Sequence, residues 1–175
     1  GWHQDKGRHR KHRMPFRLFE QRKKNRFLSV IETIRLTTQN LLSRRSCTHA
    51  SGPVVSLTTH GRRMKTAFLA IESIARGTVR PSRLVLALDA PEQGARLPAT
   101  LRRLQRRGLE IMYAKPAGPH LKYLAYLESG AALDRPLVTA DDDLMYPHWW
   151  LDRLYVAHKQ APDLIHCFRA RRVQL

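Results

Sequence analysis

Short apolar, β-branched runs alternate with helical patterns from Pro53 onward, and this alternation most constrains the fold. The connections between each run and the neighbouring helical pattern are only a few residues long. Such alternation is typical of βαβ units, in which a mainly parallel sheet lies between two layers of helices. We therefore expect a three-layer, Rossmann-like α/β domain over residues 53–175. Its expected strands are 54–59, 84–88, 109–113, 136–140 and 164–167, and its expected helices are 64–75, 97–107, 121–127 and 147–160.

Residues 1–52 differ in composition and are interpreted as a basic N-terminal extension. Residues 1–46 carry 13 Lys and Arg against 3 Asp and Glu, in a chain with a formal net charge of +18. Residues 1–15 are polar and are expected to be disordered. Residues 16–45 place apolar side chains at roughly helical spacing, which predicts a basic amphipathic helix. A linker is expected over 46–53.

The excess of positive charge favours an anionic partner, which could be nucleic acid, acidic lipid or a phosphorylated substrate. Nucleic acid is the least favoured, because the extension has few aromatic residues and no recognised binding motif. The amphipathic helix would pack on the domain, lie on an anionic membrane surface, or belong to an Arg-rich transit segment. No apolar run is long enough to cross a bilayer and no secretory signal is recognised. We expect a cytoplasmic protein, either free or peripheral at the inner face of the membrane.

The two cysteines, Cys47 and Cys167, lie far apart and do not have the spacing of metal ligands. A reducing compartment is therefore the expectation. Cys167 falls within an expected strand, so we expect it to be a buried core thiol.

Three consecutive carboxylates, Asp141–Asp143, follow the expected fourth strand. They are either solvated in a turn that caps the next helix or gathered around a cation. An extended chain would place Asp141 and Asp143 on one side and Asp142 on the other. Mg²⁺ is often held by one or two carboxylates together with substrate phosphates. Because ligands bind outside the carboxyl ends of parallel strands, the pattern predicts a half-site for a metal carrying a diphosphate.

Five stretches of the chain occur in an order that is familiar from one enzyme class: SLTTHGRR, TVRP, GPHLK, TADDDLMYPHWWL and IHCFRA. With them the chain resembles the nucleotide-sugar-binding half of a GT-A fold glycosyltransferase, of the family 2-like type that builds bacterial polysaccharides. The resemblance covers about residues 53–171. It implies transfer of a sugar from a UDP- or GDP-sugar donor to a glycan or lipid-linked acceptor, in cell-surface polysaccharide biosynthesis.

The resemblance also implies roles for single residues. Asp143 would be the main ligand of a divalent metal, Mn²⁺ or Mg²⁺, and Asp141 would face the metal or the ribose. Arg63 and Lys122 would lie near the phosphates, where fixed cations suit a departing diphosphate. Thr58 would line the nucleotide. The expected donor site is Thr58, Arg63, Asp89, Lys122, Asp141 and Asp142, with Asp141 and Asp143 as metal ligands.

Some readings stay open at this point. Asp89 would contact the nucleobase or serve as a turn acid, and Tyr146, Trp149 and Trp150 would shape an acceptor pocket or belong to the core. The family's acceptor half and catalytic base would lie beyond Leu175, so the fold is expected to be incomplete at its C-terminus. The catalytic residue is therefore not assigned.

Three other functions compete with glycosyl transfer. One is a donor-binding fragment that transfers nothing, and another is a basic nucleic-acid-binding protein. A phosphatase of the haloacid dehalogenase type is disfavoured, because its nucleophilic aspartate lies on the first strand whereas the aspartates here follow the fourth. A further departure from the glycosyltransferase pattern is Tyr123, which stands where that family commonly has a lysine.

Overall fold

The computed structural model describes residues 17–90, 94 and 96–168, with side chains from Ser29 onward. The chain divides between Ile34 and Arg35 into two units. The disorder expected for residues 1–15 lies outside the described residues. The separation of an extension from a domain at residue 52 stays a prediction.

A single helix, α1, spans Arg17–Leu42. It confirms the helix that the spacing predicts over 16–45. In the described part of the chain, no helix is both long enough and apolar enough to cross a membrane. The segment after α1, where a linker is expected, has no regular secondary structure, yet it buries Cys47 completely. Burial raises the pKa of the Cys47 thiol to about 11, so this side chain stays protonated at neutral pH.

Four parallel strands form one sheet in the second unit. They are β1 at Val54–Thr58, β2 at Arg83–Asp89, β3 at Leu109–Ala114 and β4 at Leu137–Ala140. The helices that accompany them are α2 at Ala67–Ala75, α3 at Ala99–Gln105, α4 at Leu121–Glu128 and α5 at Trp150–Gln160. The Rossmann-like, mainly parallel α/β fold is thereby confirmed.

The order of the strands, β3-β2-β1-β4, creates a crevice at one edge of the sheet. From β1 the chain moves outward to β3, and it then returns to the other side of β1 to form β4. The connections that follow β1 and β4 therefore leave the sheet in opposite directions, which opens a crevice beyond the carboxyl ends of these strands. The register pairs Leu57 with Ala140, so Thr58 and Asp141 follow at the same level of the sheet.

Helices cover both faces of the sheet. On one face, Val55 and Leu57 of β1 belong to a core that includes residues of α2, α3 and α5. On the other face, Val54 of β1 and Val85 of β2 pack with Tyr126 of α4. Adjacent residues of one strand point to opposite faces, so the placement of Val54 and Val55 in two different cores establishes the three layers.

The strand expected over 164–167 does not form, and that expectation is wrong. The Leu164 N–H donates to the Ala161 carbonyl at 3.2 Å, and His166 Nε2 lies 2.9 Å from the same oxygen. These local bonds make a turn after α5 in place of a sheet ladder. Ile165 is 99% exposed and Cys167 is exposed, so the expected core thiol is wrong as well. Four apolar residues are too few to distinguish a strand from a loop by pattern alone.

Two helices, α2 and α5, begin three residues later than the sequence pattern indicates. The helix expected over 64–75 is divided into a short 3-10 helix, Gly61–Lys65, and α2. Gly61 opens this segment with φ of 51°, a conformation that glycine adopts readily. The helix expected from Pro147 begins at Trp150. Both shifts leave irregular backbone directly after β1 and β4, where it borders the crevice.

A buried polar cluster ties the end of α1 to α2 and to the start of β3. Arg107 Nη1 donates to Glu72 Oε1 at 2.5 Å, and both side chains are buried. Glu72 also accepts hydrogen bonds from Gln39 Nε2 at 2.6 Å and from Asn40 Nδ2 at 3.0 Å. The Nε of Arg107 donates to the Arg45 carbonyl at 2.7 Å. The cluster thus fixes the last turn of α1 and the segment after it on the sheet unit.

Candidate functional site

The candidate site is a crevice of about 290 Å³ at the carboxyl ends of β1 and β4. Its walls come from the loop after β1, from the start of α4 and from the aspartates after β4. We call it the aspartate crevice. Its lining residues are Thr58, His60, Arg63, Gly118, Pro119, Lys122, Ala140, Asp141, Asp142 and Asp143.

Asp142 is the buried member of the aspartate triplet. Its Oδ2 accepts a hydrogen bond of 2.6 Å from Thr59 Oγ1, and its Oδ1 lies 3.2 Å from Arg63 Nη1. Only 5% of the Asp142 side chain is exposed. This carboxylate therefore joins the loop after β1 to the loop after β4, and each of its two oxygens has a partner within the protein. Thr59, to which the sequence patterns assign no role of its own, is the residue that holds it.

Asp141 and Asp143 are the accessible members, and each has 54% of its side chain exposed. Lys122 Nζ donates to Asp141 Oδ1 at 2.7 Å, and Arg63 Nη2 donates to Asp143 Oδ2 at 2.8 Å. Asp142 and Asp143 lie in a turn and not in an extended chain, yet Asp141 and Asp143 are exposed while Asp142 is buried. In effect, two cations and two accessible carboxylates meet in one crevice.

The two accessible ion pairs are weakly held. Both are partly exposed to water, where an ion pair contributes no more than about 1 kcal/mol. Arg63 reaches the crevice from the 3-10 helix after β1, and Lys122 from the first turn of α4. An anionic ligand could therefore take these two cations from the aspartates at little cost, which would free both carboxylates.

Thr58 and Asp89 have different positions relative to the crevice. Thr58 lines it, and its hydroxyl donates to the Ala87 carbonyl at 3.1 Å. Asp89 ends β2, one strand farther from the crevice, and it is not among the residues that line it. The structure thus brings together Thr58, Arg63, Lys122 and the three aspartates, and it leaves Asp89 outside this group.

Tyr146 forms a hydrogen bond with the backbone of the aspartate loop. Its hydroxyl oxygen accepts a hydrogen bond of 2.7 Å from the Asp141 N–H, and its own N–H donates to Ser73 Oγ at 2.8 Å. The Tyr146 and Trp150 rings lie 4.2 Å apart between centroids, and both residues are buried in the core. The Trp149 ring instead lies against the Arg153 guanidinium. These contacts place Tyr146 and Trp150 in the core, and both residues also line a hollow beside β4.

Tyr146 should also make stability sensitive to alkaline pH. Burial raises the pKa of its phenol to about 12, and the nearby aspartates contribute to the rise. The ordinary value is about 10, so the neutral phenol stabilises the fold below about pH 10 and this contribution is lost as the pH rises towards 12. We expect the unfolding free energy of the wild type to fall more steeply over this window than that of Tyr146→Phe. Denaturant titrations at several pH values measure the difference.

Tyr155→Phe is the matched control for this prediction, because the Tyr155 ring packs with Lys159 on α5. The control should keep the pH dependence of the wild type. If the unfolding free energies of the wild type and of Tyr146→Phe fell equally between pH 10 and 12, Tyr146 would not be the cause of the pH dependence.

The crevice fits a divalent metal only in combination with a substrate. Carboxylate oxygens are the ligands that Mg²⁺ and Mn²⁺ prefer, and Asp141 and Asp143 present such oxygens to the crevice. Within the described ranges, no group of three or more His, Cys, Asp or Glu side chains is arranged to hold a metal ion. Asp142 is committed to Thr59 and Arg63. The donor set is therefore two carboxylates, which phosphate oxygens of a ligand and water would have to complete.

A second, larger hollow of about 520 Å³ lies along the outer side of β4. It is bordered by β4, by α5 and by residues 162–168, and its lining is mostly apolar. Asp141 contributes to both this hollow and the aspartate crevice. A ligand in the hollow could therefore reach the position of the aspartates.

Comparison of the chain with protein-family models, with curated proteins and with solved structures gave no match.

Proposed function

We propose that the aspartate crevice binds the diphosphate of a nucleotide-sugar donor and that the protein serves glycosyl transfer. The observation that carries the proposal is the meeting of two paired cations, Arg63 and Lys122, with two accessible carboxylates at the strand-order reversal between β1 and β4. Ligands of parallel α/β sheets bind at this kind of position. The GT-A-like motif order supports the same choice of ligand.

The proposed binding step is an exchange of partners. Diphosphate oxygens would take Arg63 and Lys122, because charge-assisted hydrogen bonds to phosphate are strong and arginine can make two of them. Asp141 and Asp143 would then no longer be paired with Lys122 and Arg63, and they would be available to coordinate a divalent ion, Mn²⁺ or Mg²⁺. This ion would supply charge neutralisation of the diphosphate.

The residues of the chain have further roles in this scheme. Asp142 holds Arg63 in position through its Oδ1 and is itself held by Thr59. Arg63 and Lys122 would stabilise the negative charge that develops on the departing nucleoside diphosphate. Tyr146 fixes the Asp141 backbone, so the carboxylates are positioned before a ligand arrives.

The apolar hollow beside β4 supports an acceptor with an apolar part. Leu137, Leu144 and Leu154 contribute to its lining, and Asp141 connects it to the crevice. Apolar lining suits a hydrocarbon portion of the acceptor. A sugar acceptor held there would lie next to the donor.

Replacing Lys122 tests the donor site. We expect Lys122→Met to weaken UDP or GDP binding about tenfold or more, because a hydrogen bond to a charged group contributes about 1.5–3 kcal/mol. Isothermal calorimetry measures the affinity. Lys115→Met is the matched control, since Lys115 is exposed near the end of β3 and lines a different hollow. Equal losses in both variants would contradict the assignment of Lys122.

Sugar transfer needs its own assay, with a panel of UDP- and GDP-sugars and detection of the released nucleotide. Under the proposal, the wild type releases nucleotide from one class of donor and Lys122→Met does so more slowly. If the protein bound nucleotide but released none from any of the sugar donors, the donor site would stand and the proposed transfer step would be contradicted.

A further inference from the structure

A second charged surface lies at the opposite edge of the sheet from the aspartate crevice. The last residues of α1 and the end of α3 meet there around a pocket of about 490 Å³. Since α3 ends at Gln105 and β3 begins at Leu109, this surface lies at the amino-terminal edge of the sheet. We call it the arginine–leucine patch, and it consists of Leu41, Leu42, Arg44, Arg103 and Arg106.

The patch has an uncompensated positive charge. None of the residues that line its pocket is acidic. Arg103 donates to the neutral amide oxygen of Asn40 at 3.1 Å, and Arg44 and Arg106 are exposed. Among the described residues, no carboxylate forms an ion pair with any of these three arginines. Arg107, at the base of the pocket, is neutralised by Glu72. The patch therefore presents three arginines to an anionic partner.

The patch also has an apolar part. Leu41 is 55% exposed and Leu42 is 75% exposed. Both leucines belong to the last turn of α1 and line the same pocket as the three arginines. Single-stranded nucleic acid is usually bound by aromatic side chains on which bases stack, and none lines this pocket. Leucines next to arginines suit a lipid surface, where apolar side chains enter the acyl boundary and basic ones contact phosphate groups.

We propose that the arginine–leucine patch docks the protein on an anionic phospholipid surface. Arg44, Arg103 and Arg106 contact headgroup phosphates, and Leu41 and Leu42 insert into the bilayer interface. The patch and the crevice lie at opposite edges of the sheet, so a docked protein keeps the crevice open to water. The proposal is independent of the proposed donor site.

Vesicle sedimentation with the full chain tests the docking. The probes are vesicles of mixed phosphatidylglycerol and phosphatidylcholine, with pure phosphatidylcholine vesicles for comparison. A basic residue near an anionic surface strengthens binding about fivefold, so Arg44→Gln combined with Arg106→Gln should weaken binding to the mixed vesicles about 25-fold. Removing the apolar contacts in Leu41→Ser combined with Leu42→Ser should weaken it by more than about tenfold.

Lys65→Gln combined with Arg96→Gln is the control of equal charge. Both residues are exposed and lie outside the patch. We expect less than about a threefold change in vesicle binding, since charges more than a Debye length from the surface are screened. UDP affinity and the thermal midpoint, measured for every variant, should be unchanged in both patch variants.

Three results would overturn the docking surface. The first is an equal reduction of vesicle binding in the patch variants and in the control, which would indicate that binding depends only on net charge. The second is unchanged vesicle binding in both patch variants, which would place any membrane contact elsewhere on the chain. The third is loss of RNA binding in Arg44→Gln/Arg106→Gln with vesicle binding retained, which would assign the patch to nucleic acid.

Discussion

Arg107→Met should lower the free energy of unfolding by about 3–5 kcal/mol, which is the usual effect of removing one partner from a buried ion pair. The substitution leaves the Glu72 carboxylate buried with only Gln39 and Asn40 as donors. It also removes the hydrogen bond from Arg107 to the Arg45 carbonyl. Chemical denaturation monitored by circular dichroism measures the loss.

Arg106→Met is the matched control, because Arg106 is the exposed neighbour of Arg107. It should change the unfolding free energy by no more than about 0.5 kcal/mol. The double variant Glu72→Met/Arg107→Met removes both charges, and it should recover part of the stability that Arg107→Met loses. If the two single variants have additive effects, the double variant loses as much stability as Glu72→Met and Arg107→Met lose together. That result would contradict a direct coupling between the two side chains.

The sequence predicts β1 and β2 well because these two strands are buried. The runs 54–59 and 84–88 match β1 and β2 to within one residue, since both strands are covered on two faces and are apolar almost throughout. The run 164–167 is just as apolar and forms no strand. A strand also needs a neighbouring strand with which to form hydrogen bonds, and apolar composition does not show whether one is present.

The candidate site is predictable only in part. The carboxyl-edge position of the aspartates follows from strand and helix alternation. Their proximity to Thr58 also requires β4 to lie beside β1. The burial of Asp142 does not follow, because it depends on Thr59, which lies 83 positions away in the chain. The absence of Asp89 from the crevice depends on the strand order, which a pattern of strands and helices does not determine.

The largest effect expected at the site is a coupling between metal and nucleotide. Arg63 and Lys122 pair with the carboxylates that a metal would need. A nucleoside diphosphate should remove these cations, and a metal should balance the phosphate charge. Each ligand therefore prepares the crevice for the other, and coupled sites of this kind strengthen each other about 5- to 150-fold.

Asp143→Asn should remove most of this coupling. The amide is nearly the same size as the carboxylate but carries no charge for the metal. Its effect on folding should be small, because Asp143 is exposed and its ion pair with Arg63 is partly solvated. Asp134→Asn is the control of equal charge change, since Asp134 is exposed and lies before the start of β4, at the other edge of the sheet from the crevice.

The measurement that tests the donor site most directly is the affinity of UDP and GDP, by calorimetry, with Mn²⁺ and with EDTA. We expect Mn²⁺ to strengthen nucleotide binding about tenfold or more in the wild type and in Asp134→Asn, and to have little effect in Asp143→Asn. Equal affinity with Mn²⁺ and with EDTA in the wild type, or a metal effect that survives in Asp143→Asn, would contradict a metal-assisted diphosphate site in the aspartate crevice.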